Sequence, residues 1–229
     1  MNQDGNISQD RIQIKICGLT DAETAAECAL LGADALGLVF YPPSPRFVAD
    51  ALAVDIAAAV AGRTAVVGVF VDAPFQVIMD KVENCALTAV QLHGREPADL
   101  VDRLRRENLT VIKALFQERP PEFGRAGAYA PSAFLLECGR GRLPGGNAAA
   151  WDWAAAVGIS QGHPVLLAGG LTPENVGQAA VLGRSDGVDV SSGVEVTPGK
   201  KDLDKIRRFI DAVLGIATES PNRPRRIFS

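Results

Sequence analysis

The 229-residue chain is poor in histidine, with only His93 and His163, and its four cysteines, Cys17, Cys28, Cys85 and Cys138, lie scattered. No two of them form a CxxC pair, and none falls at metal-ligand spacing with either histidine, so the sequence offers no metal site. A positive balance is missing as well. The 23 Lys and Arg against 27 Asp and Glu leave a formal net charge of −4, which excludes a broad basic surface for nucleic acid or anionic lipid. Only Arg223, Arg225 and Arg226 cluster, and so short a basic tail reads as solvated. No window approaches the roughly 18 apolar residues that a membrane span needs. Residues 1–10 are polar and lack the apolar centre of a secretory signal. Scattered cysteines without such a signal imply a reducing compartment, so the expected location is the cytoplasm. A GxGxxG after the first strand is also lacking, as is any shift in composition that would mark a linker.

What the chain does have is an alternation. Apolar, β-branched runs of strand length recur at 12–17, 35–40, 65–71, 86–92, 110–115, 132–136, 164–168 and 187–191, each followed by a longer Ala/Leu-rich segment. Their near-continuous hydrophobicity suits parallel strands covered on both faces. Helices are expected over 21–31, with Thr20 as N-cap, Glu23 completing a capping box and Gly32 ending it. Others are expected over 50–61, 74–82, 97–107, 119–130, 147–157, from Thr172-Pro173 onward, and over 202–214. Eight βα units with no strand left over predict an α/β protein forming a single (βα)8 TIM barrel. An open doubly wound sheet is the competing architecture, and it would want the absent glycine fingerprint. The expected organisation is a flexible leader over 1–10, the barrel over 11–215 and a flexible tail over 216–229, from Thr218 onward either disordered or loosely packed.

In such a barrel the working residues lie at the C-terminal strand ends. The first strand ends in Lys15-Ile16-Cys17-Gly18-Leu19-Thr20, where Lys15 and Cys17 face the same side. A thiol beside a cation can act as base or nucleophile, and a free cysteine can equally be a small buried hydrophobe. After the second strand, Tyr41-Pro42-Pro43-Ser44-Pro45-Arg46 presents one arginine from a stiff loop, suited to bidentate capture of a carboxylate or to a local ion pair. The fourth strand ends at His93, an acid, base, donor or structural histidine. The fifth carries Lys113. The sixth ends at Glu137 behind two leucines, where a carboxyl group can serve as general acid or sit solvated in a loop. The seventh and eighth strands end in Gly169-Gly170 and in Asp189-Val190-Ser191-Ser192-Gly193. Either glycine turn alone is generic. Both together at the last two strands form the recurrent phosphate cradle of this fold.

The motifs Lys-Ile-Cys-Gly-Leu-Thr, Ser-Pro-Arg-Phe-Val, Val-Gln-Leu-His-Gly, Ala-Gly-Gly-Leu-Thr-Pro-Glu-Asn-Val and Val-Asp-Val-Ser-Ser-Gly-Val-Glu, with the Pro-Gly-Lys-Lys-Asp that follows, resemble those of the phosphoribosylanthranilate isomerase family of tryptophan biosynthesis. The resemblance runs in order from about Ile12 to Leu214. It implies a cofactor-free Amadori rearrangement of N-(5-phosphoribosyl)anthranilate to 1-(2-carboxyphenylamino)-1-deoxyribulose 5-phosphate. A general acid protonates the furanose oxygen and opens the ring to a Schiff base. A general base removes the C2′ proton, and the enolamine becomes the ketone. By the same resemblance Cys17 is the base, Arg46 meets the anthranilate carboxylate, Gly169, Gly170, Ser191, Ser192 and Gly193 hold the phosphate, and His93 and Asp189 line the pocket. The implied partner is a small phosphorylated substrate, with no nucleic acid or membrane, acting on a monomer or homodimer. Lys15, if it points inward, is expected to help hold Cys17 as thiolate.

Two departures stand out. The family carries an aspartate as general acid at the end of strand six, where this chain has Glu137, one methylene longer. The turn that follows is also changed, reading Gly145-Gly146-Asn147-Ala148 ahead of Trp151-Asp152-Trp153. Beside an active isomerase using Cys17 and Glu137, the residues therefore admit a ligand-binding paralogue with weak or no isomerase activity, and a related phosphosugar isomerase or epimerase. Arg46 speaks against a plain sugar-phosphate substrate, which has no carboxylate to clamp, and two histidines are too few for the metal-dependent epimerases.

Overall fold

The computed structural model describes residues 11–140, 150–216 and 224–228. Eight parallel strands, β1 (Gln13–Cys17), β2 (Ala35–Val39), β3 (Ala65–Phe70), β4 (Ala89–Leu92), β5 (Thr110–Phe116), β6 (Ala133–Glu137), β7 (Val165–Leu167) and β8 (Gly187–Val190), close into a barrel in sequence order, with β1 pairing both β2 and β8. The expected (βα)8 barrel is thus the observed one. Helices α1 (Ala22–Leu30), α2 (Asp50–Val60), α3 (Phe75–Asn84), α4 (Ala98–Arg106), α5 (Val157–Ser160), α6 (Val176–Gly183) and α7 (Leu203–Leu214) follow strands one to four and six to eight. After β5 the connection is a 3-10 turn, Phe123–Ala128, where the Gly- and Pro-rich sequence cannot sustain an α-helix. No helix among the described residues is long and apolar enough to cross a membrane.

Alternation along each strand separates two cores. On β1, Ile14 and Ile16 face the helices within the larger cluster, which also takes Leu36, Leu38, Val90 and Leu136. The interior of the barrel is filled mostly by small or medium side chains, among them Ala35, Val67, Ala89, Ala114, Ala133 and Ala168. The two lysines with no exposure at all, Lys15 and Lys113, are handled differently. Lys15 points inward and bonds Asp189 Oδ1 at 2.8 Å. Lys113 points to the helix side, where it bonds Glu96 Oε2 at 2.7 Å and the carbonyls of Leu92 and Gly94 at the end of β4.

Local chemistry moved two boundaries. Asp21, rather than Thr20, caps α1 by accepting from Thr24 N at 2.7 Å. Thr20 is free to donate instead to Gly199 O at 2.6 Å. Gly199 lies in a hairpin the sequence reading did not anticipate, β9 (Glu195–Thr197) with β10 (Lys200–Lys201), inserted between β8 and α7. A Cβ at Gly199 would lie 2.7 Å from Pro45 O, so the hairpin rests directly on the proline loop.

The C-terminus differs most from expectation. Residues 217–223, like the leader 1–10 and the turn 141–149 with Gly145-Gly146-Asn147-Ala148, lie outside the described residues. Residues 224–228 are packed rather than loose. Ile227 and Phe228 enter the barrel's interior cluster from its N-terminal end. Gln13, at the start of β1, accepts from Ile227 N at 2.6 Å and from Phe228 N at 3.0 Å, and donates to Phe228 O at 3.0 Å. Arg225 pairs with Asp186 at 2.8 Å and donates to the carbonyls of Ser160 and His163. The tail therefore stoppers the bottom of the barrel. Burying an Ile and a Phe contributes on the order of 1.5–3 kcal/mol each, offset by the entropy of ordering the segment. Deletion of residues 224–229 is expected to cost about 3 kcal/mol, lowering Tm by roughly 6–12 °C in calorimetry without changing KM. An unchanged Tm would show that the stopper contributes nothing.

Candidate active site

All ten site residues read from the sequence converge on one cleft of about 800 Å³ at the C-terminal mouth, the end opposite the stopper. Cys17, Arg46, His93, Glu137, Gly169, Gly170, Asp189, Ser191, Ser192 and Gly193 all line it.

Cys17 is the last residue of β1, and Glu137 the last of β6, three strands away around the barrel. Space for the thiol is made by Gly37 on β2, where a Cβ would sit 2.6 Å from Cys17 Sγ and 3.1 Å from Lys15 Nζ. Burial pushes the Cys17 thiol above its usual pKa, Lys15 draws it down, and Asp189 pushes it up again, with the net direction upward. Lys15 does point inward, as anticipated, but its ammonium is committed to Asp189. Burial alone would discharge it, and Asp189 and then Cys17 more than restore the charge, so its pKa is raised. Lys15 therefore favours the thiolate, as expected, without bringing the thiol below its usual pKa. Its pull on Cys17 is real but smaller than the cost of burying a charged sulfur.

Arg46 is buried, and its Nε and Nη2 donate to the two oxygens of Glu195 at 2.8 and 2.7 Å. The bidentate edge foreseen for a ligand is thus occupied by an internal partner. Of five guanidinium N–H groups, the two on Nη1 and the second on Nη2 remain, an end-on fork for another carboxylate. Lys201 Nζ bonds Glu195 Oε1 at 2.8 Å and Ser191 O at 3.1 Å, tying this arginine to the β8 turn. Burial would raise the Glu195 pKa, but Arg46 and Lys201 outweigh it and hold the carboxyl below its usual value. Sequence reasoning missed Glu195 and Lys201, although both lie inside the quoted motifs, because the hairpin that carries them was not foreseen.

After β7, Gly169 and Gly170 adopt φ of +85° and +68°, a conformation that side chains disfavour. Asn175 braces their turn, donating to Gly170 O at 2.8 Å and accepting from Thr172 N at 2.8 Å. Trp151 Nε1 donates to Ala168 O at 2.8 Å and pins the end of β7. A Cβ on Gly193 would meet Leu171 O at 1.9 Å, so the two turns approach as closely as backbone allows. The cleft is also lined by His93, with its Nε2 at 3.7 Å from Glu137 Oε1, and by Gln91, whose Nε2 is 3.0 Å from His93 Nδ1. Gln91 was also missed, although an i, i+2 spacing on a strand puts it on the His93 face. Among the described residues no group of three or more His, Cys, Asp or Glu could hold a metal ion.

Comparison with known proteins agrees with this geometry. A family model described as N-(5'phosphoribosyl)anthranilate (PRA) isomerase matches residues 14–212. The N-(5'-phosphoribosyl)anthranilate isomerase of Desulfatibacillum aliphaticivorans is 53% identical over 218 residues, covering 95% of this chain and 99% of that one. A crystal structure of phosphoribosyl anthranilate isomerase from Thermotoga maritima superposes with a TM-score of 0.82 at 38% identity, over 89% of this chain and 99% of that chain. A phosphoribosyl anthranilate isomerase in complex with reduced 1-(o-carboxyphenylamino)-1-deoxyribulose 5-phosphate superposes with a TM-score of 0.79 at 38% identity, over the same shares.

Proposed function

Because the chain belongs to the N-(5'-phosphoribosyl)anthranilate isomerase family, we propose that Cys17 and Glu137 divide the proton transfers by which it converts N-(5-phosphoribosyl)anthranilate to 1-(2-carboxyphenylamino)-1-deoxyribulose 5-phosphate. The observation that carries this reading is one cleft lined by a thiol on β1, a carboxyl group three strands away on β6, an arginine and two glycine turns. A substrate with a carboxylate at one end and a phosphate at the other spans these two anion sites. The end-on fork of Arg46 takes the anthranilate carboxylate. The turns at Gly169-Gly170 and Ser191-Ser192-Gly193 take the phosphate, whose charge backbone N–H groups accommodate without Cβ interference.

Glu137 protonates the furanose oxygen, and the C1′–O bond breaks as the anilino nitrogen's lone pair forms the Schiff base. Cys17 as thiolate then takes the C2′ proton, and the electron pair moves into the C1′–C2′ bond to give the enolamine. Ketonisation returns a proton to C1′, so the product is an isomer of the substrate. The Glu137 carboxyl group lies beside the His93 imidazole, and a Cβ on Gly169 would lie 3.2 Å from Glu137 Cβ. The protein acts as a monomer or homodimer in the cytoplasm, on a small phosphorylated substrate, and the chemistry uses no cofactor.

Complementation tests the reading. A tryptophan auxotroph lacking this isomerase is expected to grow with the wild-type gene and not with Cys17→Ala. Failure of the wild-type gene, with the purified protein still binding the reduced product analogue, would favour a ligand-binding paralogue instead.

A further inference from the structure

Two polar atoms lining the cleft are buried without a hydrogen-bond partner, His93 Nε2 and Gln91 Oε1. Both residues are almost wholly enclosed, at 5% and 1% exposure, and both line the cleft between Cys17 and Glu137. A buried donor or acceptor left unpaired costs on the order of 1–3 kcal/mol, so such a pair in a binding cleft points to groups that a ligand supplies. The bond that joins the two side chains sets their polarity. Gln91 Nε2 lies 3.0 Å from His93 Nδ1. With the Gln91 amide in this orientation its nitrogen donates, so Nδ1 is the acceptor and a single ring proton sits on Nε2.

We propose that Gln91 and His93 act as one hydroxyl-reading dyad. Gln91 is a positioning residue that fixes His93 as the Nε2–H tautomer, and the pair presents an acceptor, Gln91 Oε1, beside a donor, His93 Nε2–H. Hydroxyl groups both give and receive a hydrogen bond, so a sugar with vicinal hydroxyls satisfies both orphaned atoms at once. The dyad therefore selects the ribosyl unit of the substrate, as Arg46 and the glycine turns select its two anionic ends. In this arrangement His93 donates to the sugar and leaves proton abstraction to Cys17. The inference rests on the function proposed above for the identity of the sugar, and on geometry alone for the tautomer.

Nitrogen-15 NMR of the imidazoles in the full-length protein tests the tautomer directly, and with two histidines in the chain a His163→Asn variant assigns the spectrum. Wild type is expected to show a protonated Nε2 and a bare Nδ1 on His93. Gln91→Glu, whose carboxylate can only accept, is expected to move that proton to Nδ1, and nearly isosteric Gln91→Met to leave a mixture. Each variant is expected to bind reduced 1-(o-carboxyphenylamino)-1-deoxyribulose 5-phosphate about 10-fold or more weakly, while binding inorganic phosphate as wild type does. A wild-type Nδ1–H tautomer overturns the proposal, as does an equal loss of phosphate binding, which would mark general damage to the cleft. Should the Gln91 variants fail to fold, the wild-type spectrum still decides the tautomer. Wild-type protein that does not turn over its substrate would count against the proposed function and leave the tautomer result standing.

Discussion

Replacing Cys17 with alanine is expected to lower kcat by about 10²–10⁴-fold, the usual worth of a positioned general base. The reduced product analogue should still bind with nearly wild-type Kd, because Arg46 and the glycine turns remain. Cys17→Ser should fare little better, since a serine hydroxyl at this position has no partner able to take its proton. The same assignment fixes a pH dependence. The reactive form is the thiolate, and burial, only partly opposed by Lys15, sets the thiol pKa above its ordinary value. The base is therefore mostly protonated at neutrality, and in Glu137→Gln, where no carboxylic acid titrates against it, the residual kcat/KM should climb with pH through 7 and 8 and go on climbing beyond the ordinary cysteine range near pH 8.5. Measured over pH 6–10, a plateau reached by pH 7.5 would mean that Cys17 is not the group being titrated.

The second large effect is expected at Glu137. Glu137→Gln keeps the size and hydrogen-bonding reach of the side chain and removes the transferable proton, so kcat should fall by at least about 100-fold with KM nearly unchanged. Glu137→Asp keeps the acid but draws it back by one methylene. Misplacement near 1 Å can cost on the order of 100-fold in rate, so the aspartate variant measures how far this cleft has adapted to the longer side chain. A loss smaller than that of the glutamine variant, read in the same turnover assay, is the expected outcome. Turnover by Glu137→Gln close to wild type would remove Glu137 from the mechanism.

Much of this site was legible in the chain because barrels turn sequence order into spatial order. Once eight apolar runs had been found, the residue at each strand's C-terminal end had to lie at the same mouth, and Cys17, His93, Glu137 and Asp189 followed without any contact being known. The glycine turns after β7 and β8 were legible for the same reason. What stayed hidden was whatever depends on contacts between loops. The chain admits Arg46 as a carboxylate clamp or as half of a local ion pair, but its partner Glu195 lies 149 residues away in a hairpin that no periodicity announces. Gly37 looked like any strand residue until Cys17 Sγ was seen to occupy the place of its missing Cβ. Lys15 was read by its charge, and its engagement with Asp189 became visible only once β1 was paired with β8. The C-terminus misled most. Polar, proline-containing sequence reads as loose, and Ile227 and Phe228 are too short a signal to reveal that Gln13 and Asp186, at the bottom of the barrel, bind the segment they belong to.

The central claim, a thiol base and a carboxylic acid acting across one cleft, is tested most directly by single-turnover conversion of saturating N-(5-phosphoribosyl)anthranilate by wild type, Cys17→Ala and Glu137→Gln, with binding of the reduced product analogue measured on the same preparations. The account predicts analogue affinities within about threefold of wild type and single-turnover rates lower by at least about 100-fold in both variants. A rate within tenfold of wild type in either variant, at full saturation, would contradict it.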